Sequence, residues 1–423
     1  MQAIMRDPIY KTRPVGPSPA RIEAERINDF IILSEGYSNS YLIETDEDNI
    51  QINAGLGMEA AIHAQSYAPF TDKWVRYLIV TQGHPDHVGG VAYARAQNPG
   101  LELIATSGNQ EHQSYERRLL PFRADRSGFA FRQRNIDYFQ WANENSPEGA
   151  AQQDFPVPDI SFDDTYDLEY GGVHLQLFAV PGAETNDSLI IWLPEHRICF
   201  TGNLFGCPFG HFPNLITIRG DRYRDALTVA AAAEKVRALE PEMILYGHHG
   251  PIVGEARIQE ELIAYRDAIH HVHDATVEGM NAGEDVHTLM RQIEIPPEME
   301  VGQGYGCVPW SVRAIWEAYA GWFHHESTTE LYGVPQKAVH SDLIDLAGGP
   351  DALAERARER FTNGDRLEAL HLLDVVLSQH PEHPQALAVS IDVHRALLAE
   401  ADNFWLENWL RHQIEEMEKK TSA

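Results

Sequence analysis

Thr81-Gln82-Gly83-His84-Pro85-Asp86-His87, followed at once by Val88-Gly89-Gly90, is the stretch whose reading decides the fold. Before it runs Val75-Arg76-Tyr77-Leu78-Ile79-Val80, short, β-branched and apolar, which reads as a buried strand. The polar cluster therefore falls where a strand ends and the chain turns, and the two glycines behind it permit a tight backbone fold. Two imidazoles and a carboxylate so close together at a strand terminus converge as metal ligands do. His84, Asp86 and His87 cannot all face one ion at this spacing, so the loop implies two adjacent ions that share it. The competing reading is a polar turn with incidental histidines, in a chain that holds 21 of them. Ligand-type residues recurring downstream weigh against it.

Working outward, Phe30–Leu33, Ser40–Glu44 and Asn49–Asn53 read as strands, and Met58–Tyr67 and Val91–Gln97 as helices on either side of the strand before the loop. Leu101–Thr106 is a further strand. From 107 to 159 the pattern is irregular, aromatic and mixed in charge; it reads equally as a substrate wall or a helical cap. Val173–Val180 alternates as a strand and ends in Pro181-Gly182-Ala183-Glu184. Ile190–Leu193 pairs with a strand that ends at Gly202-Asn203, and Glu242–Tyr246 runs into Gly247-His248-His249-Gly250-Pro251.

At 423 residues the chain is too long for one ordinary core, and two domains are expected. Residues 1–27 read as an extended arm broken by Pro8, Pro14, Pro17 and Pro19, residues 28–254 as the α/β domain, and residues 255–423 as all-helical. In the last part Leu367, Leu370, Leu373 and Val376 form one apolar stripe, and Leu387, Ile391 and Leu397 a facing one, in a tetratricopeptide-like hairpin. No apolar run is long enough to span a bilayer or to serve as a signal peptide, and Cys199, Cys207 and Cys307 show no paired spacing, so cytoplasmic residence is expected. The 63 acidic against 33 basic residues give a formal charge of −30, which argues against nucleic acid or an anionic membrane as partner. An anionic substrate would then need local positive charge from metal ions and a few arginines.

The Gln82–His87 loop resembles the His-x-His-x-Asp-His loop of the metallo-β-lactamase superfamily, with Gln82 in place of the first histidine. That resemblance implies an αββα sandwich. A narrower resemblance, to the linear alkylsulfatases, rests on Pro181-Gly182-Ala183-Glu184, Asn214-Leu215 with Arg219-Gly220 and Arg224-Asp225, the doubled His248-His249, Gly304-Tyr305-Gly306, Arg313-Ala314-Ile315-Trp316 and Gly348-Gly349, all in consistent order. It implies a catalytic domain followed by a helical dimerisation domain, hence a homodimer; the sterol-carrier-like third domain of those enzymes is expected to be absent, the sequence ending at Ala423.

By the same resemblance Gln82, His84 and Glu184 would hold one zinc, and Asp86, His87 and His249 the other, with His248 as the close alternative to His249. Asn53 and Asn203 stand where relatives place acids, and the lost bridging acid at Asn203 is expected to weaken the first ion's site together with Gln82. Asn214 and Arg219 would hold an anionic head group, with Tyr305 reaching the site and Asp86 acting in catalysis. Arg219 pairing with Asp221, and Tyr305 merely packing, are the alternatives. The function implied is zinc-dependent hydrolysis of a sulfate ester or related small anionic ester. Hydrolysis of another ester, lactone or amide, and a metal-poor binding member of the fold, are the competing readings.

Overall fold

Period-two alternation distributes the strand side chains between two apolar layers. Ile31 and Leu33, Tyr41 and Ile43, and Ile79 enter the layer between two sheets, while Ile32, Leu42, Leu78 and Val80 face outward. The second sheet repeats the scheme: Leu189, Ile191 and Leu193 point inward, Ile190 and Trp192 outward. These relations come from a computed structural model that describes residues 6–13, 15–16, 21–146, 149–216 and 218–422.

The first sheet runs in sequence order: β1 (Glu25–Arg26), β2 (Ile31–Ser34), β3 (Ser40–Ile43), β4 (Asn49–Ile52), β5 (Val75–Ile79), β6 (Glu102–Thr106) and β7 (Ile160–Phe162). It is antiparallel up to β4 and parallel from β4 to β7. The second holds β8 (Thr165–Tyr170), β9 (Val173–Ala179), β10 (Leu189–Leu193), β11 (Ile198–Gly202), β12 (Met243–Tyr246) and β13 (Ile252–Val253), also with sequence neighbours adjacent. Only its β11–β12 pair is parallel.

The crossovers of the first sheet are α1 (Ala60–Tyr67), then α2 (Pro85–Val88) with α3 (Val91–Gln97), then α4 (Asn109–Asn145). Tyr67, Val91 and Ala94 cover its outer face. On the second sheet, α5 (Ala226–Ala238) and α6 (Glu255–Ala282) bring Val229, Ala233, Ile258 and Leu262 onto Ile190, Cys199 and Ile244. The result is the expected αββα sandwich. Asn39 and Tyr41 tie its sheets together at one end, donating to the Tyr246 carbonyl at 3.1 and 2.6 Å.

The 107–159 segment is largely one helix: α4 is 37 residues long, with Pro121 inside it. Its buried face is mostly polar, with Asn109, His112, Gln113, Glu116 and Arg123 beside only Ala130 and Ala142, which is why a search for apolar periodicity finds no helix there. Phe122 and Phe139 are exposed.

The N-terminal arm is docked on the α/β body: Ile9 enters the core and its amide donates to Glu261 at 2.8 Å, while Arg6 pairs with Glu261 at 2.6 Å. Pro14, Pro17 and Pro19 lie outside the described residues.

Two compact units divide at Tyr319/Ala320. The first therefore includes α6, α7 (Val286–Gln292) and nearly all of α8 (Val308–Ala320) beyond the change from strands to helices read at residue 255. The second contains α9 (His340–Leu346), α10 (Pro350–Thr362), α11 (Arg366–Gln379), α12 (Pro384–Leu398) and α13 (Phe404–Ser422). Leu373 and Val376 of α11 meet Val389 and Val393 of α12; Leu387 and Ile391 instead face Ile414 and Met417 of α13, and Leu367 is exposed, which corrects the stripe pairing read from the sequence. No described helix is long and apolar enough to cross a membrane.

Candidate metal centre

The loop after β5 is held open by Asn53, whose left-handed backbone (φ 58°) lets its Oδ1 accept from the amide and hydroxyl of Thr81 at 2.9 and 3.1 Å. Asparagine tolerates that conformation better than most residues. His84 then caps α2, Pro85 occupies its first turn, and the amide of His87 bonds back to the His84 carbonyl at 2.9 Å. Behind the loop a side chain at Gly90 would collide with the carbonyl of Ala54, so the glycine serves close backbone approach rather than a special φ.

This arrangement brings Asp86 and His87 to His248, their ligand atoms all within 4.8 Å of one another. His248 arrives from β12 of the opposite sheet, with Gly247 packed against Asn203 at the end of β11. Its Nδ1 donates to the Tyr37 carbonyl at 2.8 Å; a carbonyl only accepts, so the neutral ring keeps its lone pair on Nε2. That Nε2 lies 3.9 Å from Asp86 Oδ2, and the Nε2 of His87 lies 3.6 Å from it. Burial pulls His248 down to about 4 against the opposing effect of Asp86, and burial lowers His87 in the same way. Both rings are therefore neutral donors at pH 7, and the His87 Nε2 is buried with no hydrogen-bond partner among the described residues. Two imidazoles and a carboxylate converging this way fit a zinc-like divalent cation.

A second group of ligand-type atoms within 4.8 Å joins His84 to His112 and Glu116 of α4. Burial first, then Arg219 and His112, hold His84 well below its ordinary pKa. Gln82 rests its amide on His84 Nδ1 at 2.6 Å. Glu184 forms a buried ion pair with Arg224 at 2.9 Å, and Arg224 also donates to the carbonyls of Glu184 and Asn214 at 2.8 and 2.7 Å. Desolvation raises the Glu184 carboxyl, with Arg224 and then Arg219 pulling against it.

Arg219 is a partly buried cation in a charge network that includes Tyr305, Asp221, Glu116 and Glu184. Asp221 approaches it only to 3.9 Å, and its Nε has no hydrogen-bond partner among the described residues. Tyr305 belongs to the same compact unit, and burial raises its phenol so that it stays protonated at neutral pH. Cys207 shares this surround, facing the fields of Asp86 and Glu184.

The structure thus gathers Asp86, His87 and His248; Gln82 lies on His84, Arg224 links Glu184 to the Asn214 carbonyl, and Arg219 shares a charge network with Tyr305 and Glu184. Of the doubled pair, it is His248, the close alternative to His249, that joins Asp86 and His87. His249 follows in a left-handed conformation (φ 63°), so its ring turns toward Gly16 and Arg13 while its carbonyl accepts from Asn39 at 2.7 Å. His112, Glu116, Arg123 and Tyr37 were missed. The only available signal was the four-residue spacing of His112 and Glu116, which stacks them on one helix face.

Residues 33–248 match the model of the metallo-beta-lactamase superfamily, and the chain belongs to that superfamily. Residues 286–420 match the model described as alkyl sulfatase dimerisation. A linear primary-alkylsulfatase of a Pseudomonas species is 27% identical over 403 residues, covering 90% of this chain and 74% of the relative. Alkyl/aryl-sulfatase BDS1 of Saccharomyces cerevisiae is 24% identical over 392 residues, covering 86% of this chain but 59% of its own length. The fold is that of the stereoselective inverting sec-alkylsulfatase Pisa1 from Pseudomonas sp., with a TM-score of 0.80 at 20% identity over 95% of this chain and 66% of that one.

Proposed function

We propose that this chain is a zinc-dependent sulfuric ester hydrolase acting on a small anionic alkyl ester, with two ions per chain. One observation carries the reading: loops from the two sheets bring Asp86, His87 and His248 together, and the partly buried Arg219, whose Nε is without a hydrogen-bond partner among the described residues, acts on His84 of the same loop. A bound zinc supplies Lewis acidity and makes water nucleophilic near neutral pH.

The chain's own residues do the rest. Arg219 offers its guanidinium fork to the sulfate oxygens, and Asn214 lines the same head-group site. Tyr305, kept protonated, donates to the head group. Arg224 holds Glu184 and the Asn214 backbone in place, and Tyr37 fixes the tautomer of His248. These arginines answer the problem set by the overall charge, since they concentrate positive potential where the anion binds. The alkylsulfatase relatives and the dimerisation match support sulfate ester chemistry and a homodimer formed through the helices, with residues 28–254 as catalytic domain and 255–423 as dimerisation domain. Three free cysteines support residence in the cytoplasm.

The test is sulfate release by zinc-reconstituted protein from linear alkyl sulfates, run beside carboxylic esters and lactones. Release that disappears on chelation and returns with zinc is expected. Turnover confined to uncharged esters or lactones would move the substrate class, and a protein that takes up no zinc would be a binding member of the fold.

A further inference from the structure

We propose that this chain builds its first cation position from His84, His112 and Glu116, with α4 supplying two of the three ligands. The inference deepens the metal-dependent reading above and replaces the Gln82–His84–Glu184 set that the family resemblance implies. Two members of that set are engaged elsewhere. Glu184 pairs with Arg224 and lies in neither group of converging ligand atoms, and the Gln82 amide sits on His84 Nδ1.

The alternative set has the ligating atoms ready. The Nε2 atoms of His84 and His112 are both buried and have no hydrogen-bond partner among the described residues; His84 Nε2 carries the lone pair once Gln82 turns its amide oxygen, rather than its nitrogen, to Nδ1. The rings lie 5.2 Å apart at 62°, and one ligand atom of each lies within 4.8 Å of the other and of a Glu116 oxygen. The tautomer of His112 is fixed by a chain of bonds. Asn186 donates its amide nitrogen to the Glu111 carboxylate at 2.7 Å, so its oxygen faces His112 Nδ1 at 2.8 Å. Nδ1 must therefore carry the proton, and Nε2 the lone pair. Glu116, one helical turn on, lies 3.6 Å from His112 Nε2, beyond hydrogen-bond reach. Glu116 is ion-paired too, with Arg123, but its carboxylate lies within 4.8 Å of both imidazoles and keeps further lone pairs for a cation. Two neutral imidazoles and one carboxylate form a donor set suited to zinc, with a coordination position left open. Because His84 and His87 lie on the same short loop, the two cation positions adjoin.

The experiment titrates the chelator-treated full chain with zinc and, separately, with cobalt(II), whose visible bands report coordination without turnover. Wild-type protein is expected to take two equivalents per chain. His112→Gln and Glu116→Gln, each checked for fold by circular dichroism and melting, are expected to bind one of the two at least about tenfold more weakly and to lose the corresponding cobalt bands. Glu184→Gln is expected to keep both. The proposal is overturned if His112→Gln and Glu116→Gln retain both equivalents, or if Glu184→Gln alone loses one. A wild type with one equivalent, abolished by Asp86→Asn and untouched by His112→Gln, also overturns it but leaves the hydrolase reading standing. Binding of no cation at all would sink both.

Discussion

Replacing Arg224 with methionine is expected to destabilise the unit that carries the site by about 3–5 kcal/mol, the usual result of leaving one buried charge without its partner. The structure sets that magnitude. Glu184 and Arg224 face each other at 2.9 Å with almost no solvent between them and the core, and the guanidinium also satisfies two carbonyls. Removing the acid as well, in Arg224→Met with Glu184→Gln, removes the stranded charge and leaves mainly the two carbonyls. At about 1 kcal/mol each, these predict a residual loss near 2 kcal/mol, roughly 1–3 kcal/mol smaller than that of Arg224→Met alone. The measurement is urea unfolding of metal-free protein, followed by circular dichroism and tryptophan fluorescence, for wild type, both single variants and the double. Desolvation already raises the Glu184 carboxyl, and losing Arg224 raises it further. A folded-state pKa above the unfolded one means stability falls as pH rises, so the deficit of Arg224→Met must be larger at pH 8 than at pH 5. A single-variant loss below about 1 kcal/mol at pH 8, or a double variant no better than Arg224→Met, would refute the reasoning and mean that Glu184 is already neutral in the fold.

Other consequences can be checked separately. His248→Ala is expected to abolish cation binding at the Asp86–His87 position, whereas His249→Ala leaves it intact; zinc titration by calorimetry distinguishes them, and equal losses would undo the assignment. Arg219→Ala should lower kcat/KM for an alkyl sulfate about 100-fold, as expected for loss of a charge-assisted hydrogen bond, and Arg219→Lys should recover only part of it. Glu59 is buried among Tyr37, Leu56 and Tyr138, and its pKa is raised from 4.5 to about 7, chiefly by desolvation. The fold therefore gains from this group below pH 4.5 and loses about 3 kcal/mol of that gain as pH rises through 7. The difference in unfolding free energy between wild type and Glu59→Gln should track that window, and a pH-independent difference would contradict it.

Much of this molecule was legible in its sequence because apolar alternation is a strong signal where one strand face meets the core. Ile31-Ile32-Leu33 and Leu189–Leu193 both sort their side chains between layers as that pattern requires. The loops that meet across the sheets were legible too, since Asp86, His87 and the His248-His249 pair all follow strands. The helix α4 was not. It turns amide, imidazole and carboxylate groups inward, so the periodicity that normally marks a helix is written in residues that look like loop. Which of His248 and His249 reaches the Asp86–His87 group turns on one left-handed backbone angle at His249, which two adjacent identical residues cannot disclose. Nor could the chain's order show that Glu184 meets Arg224, 40 residues on, across a buried gap.

One feature of the architecture bears on how the protein assembles. Asp86 and His87 come from the end of one sheet and His248 from the end of the other, so the donors exist as a set only once the two halves have closed on each other. A cation seated there would act as a latch across the seam of the sandwich, and uptake of metal becomes a readout of correct assembly as well as a step toward chemistry. Stripping the ion should then loosen the loop ends of both sheets together, before either layer comes apart on its own.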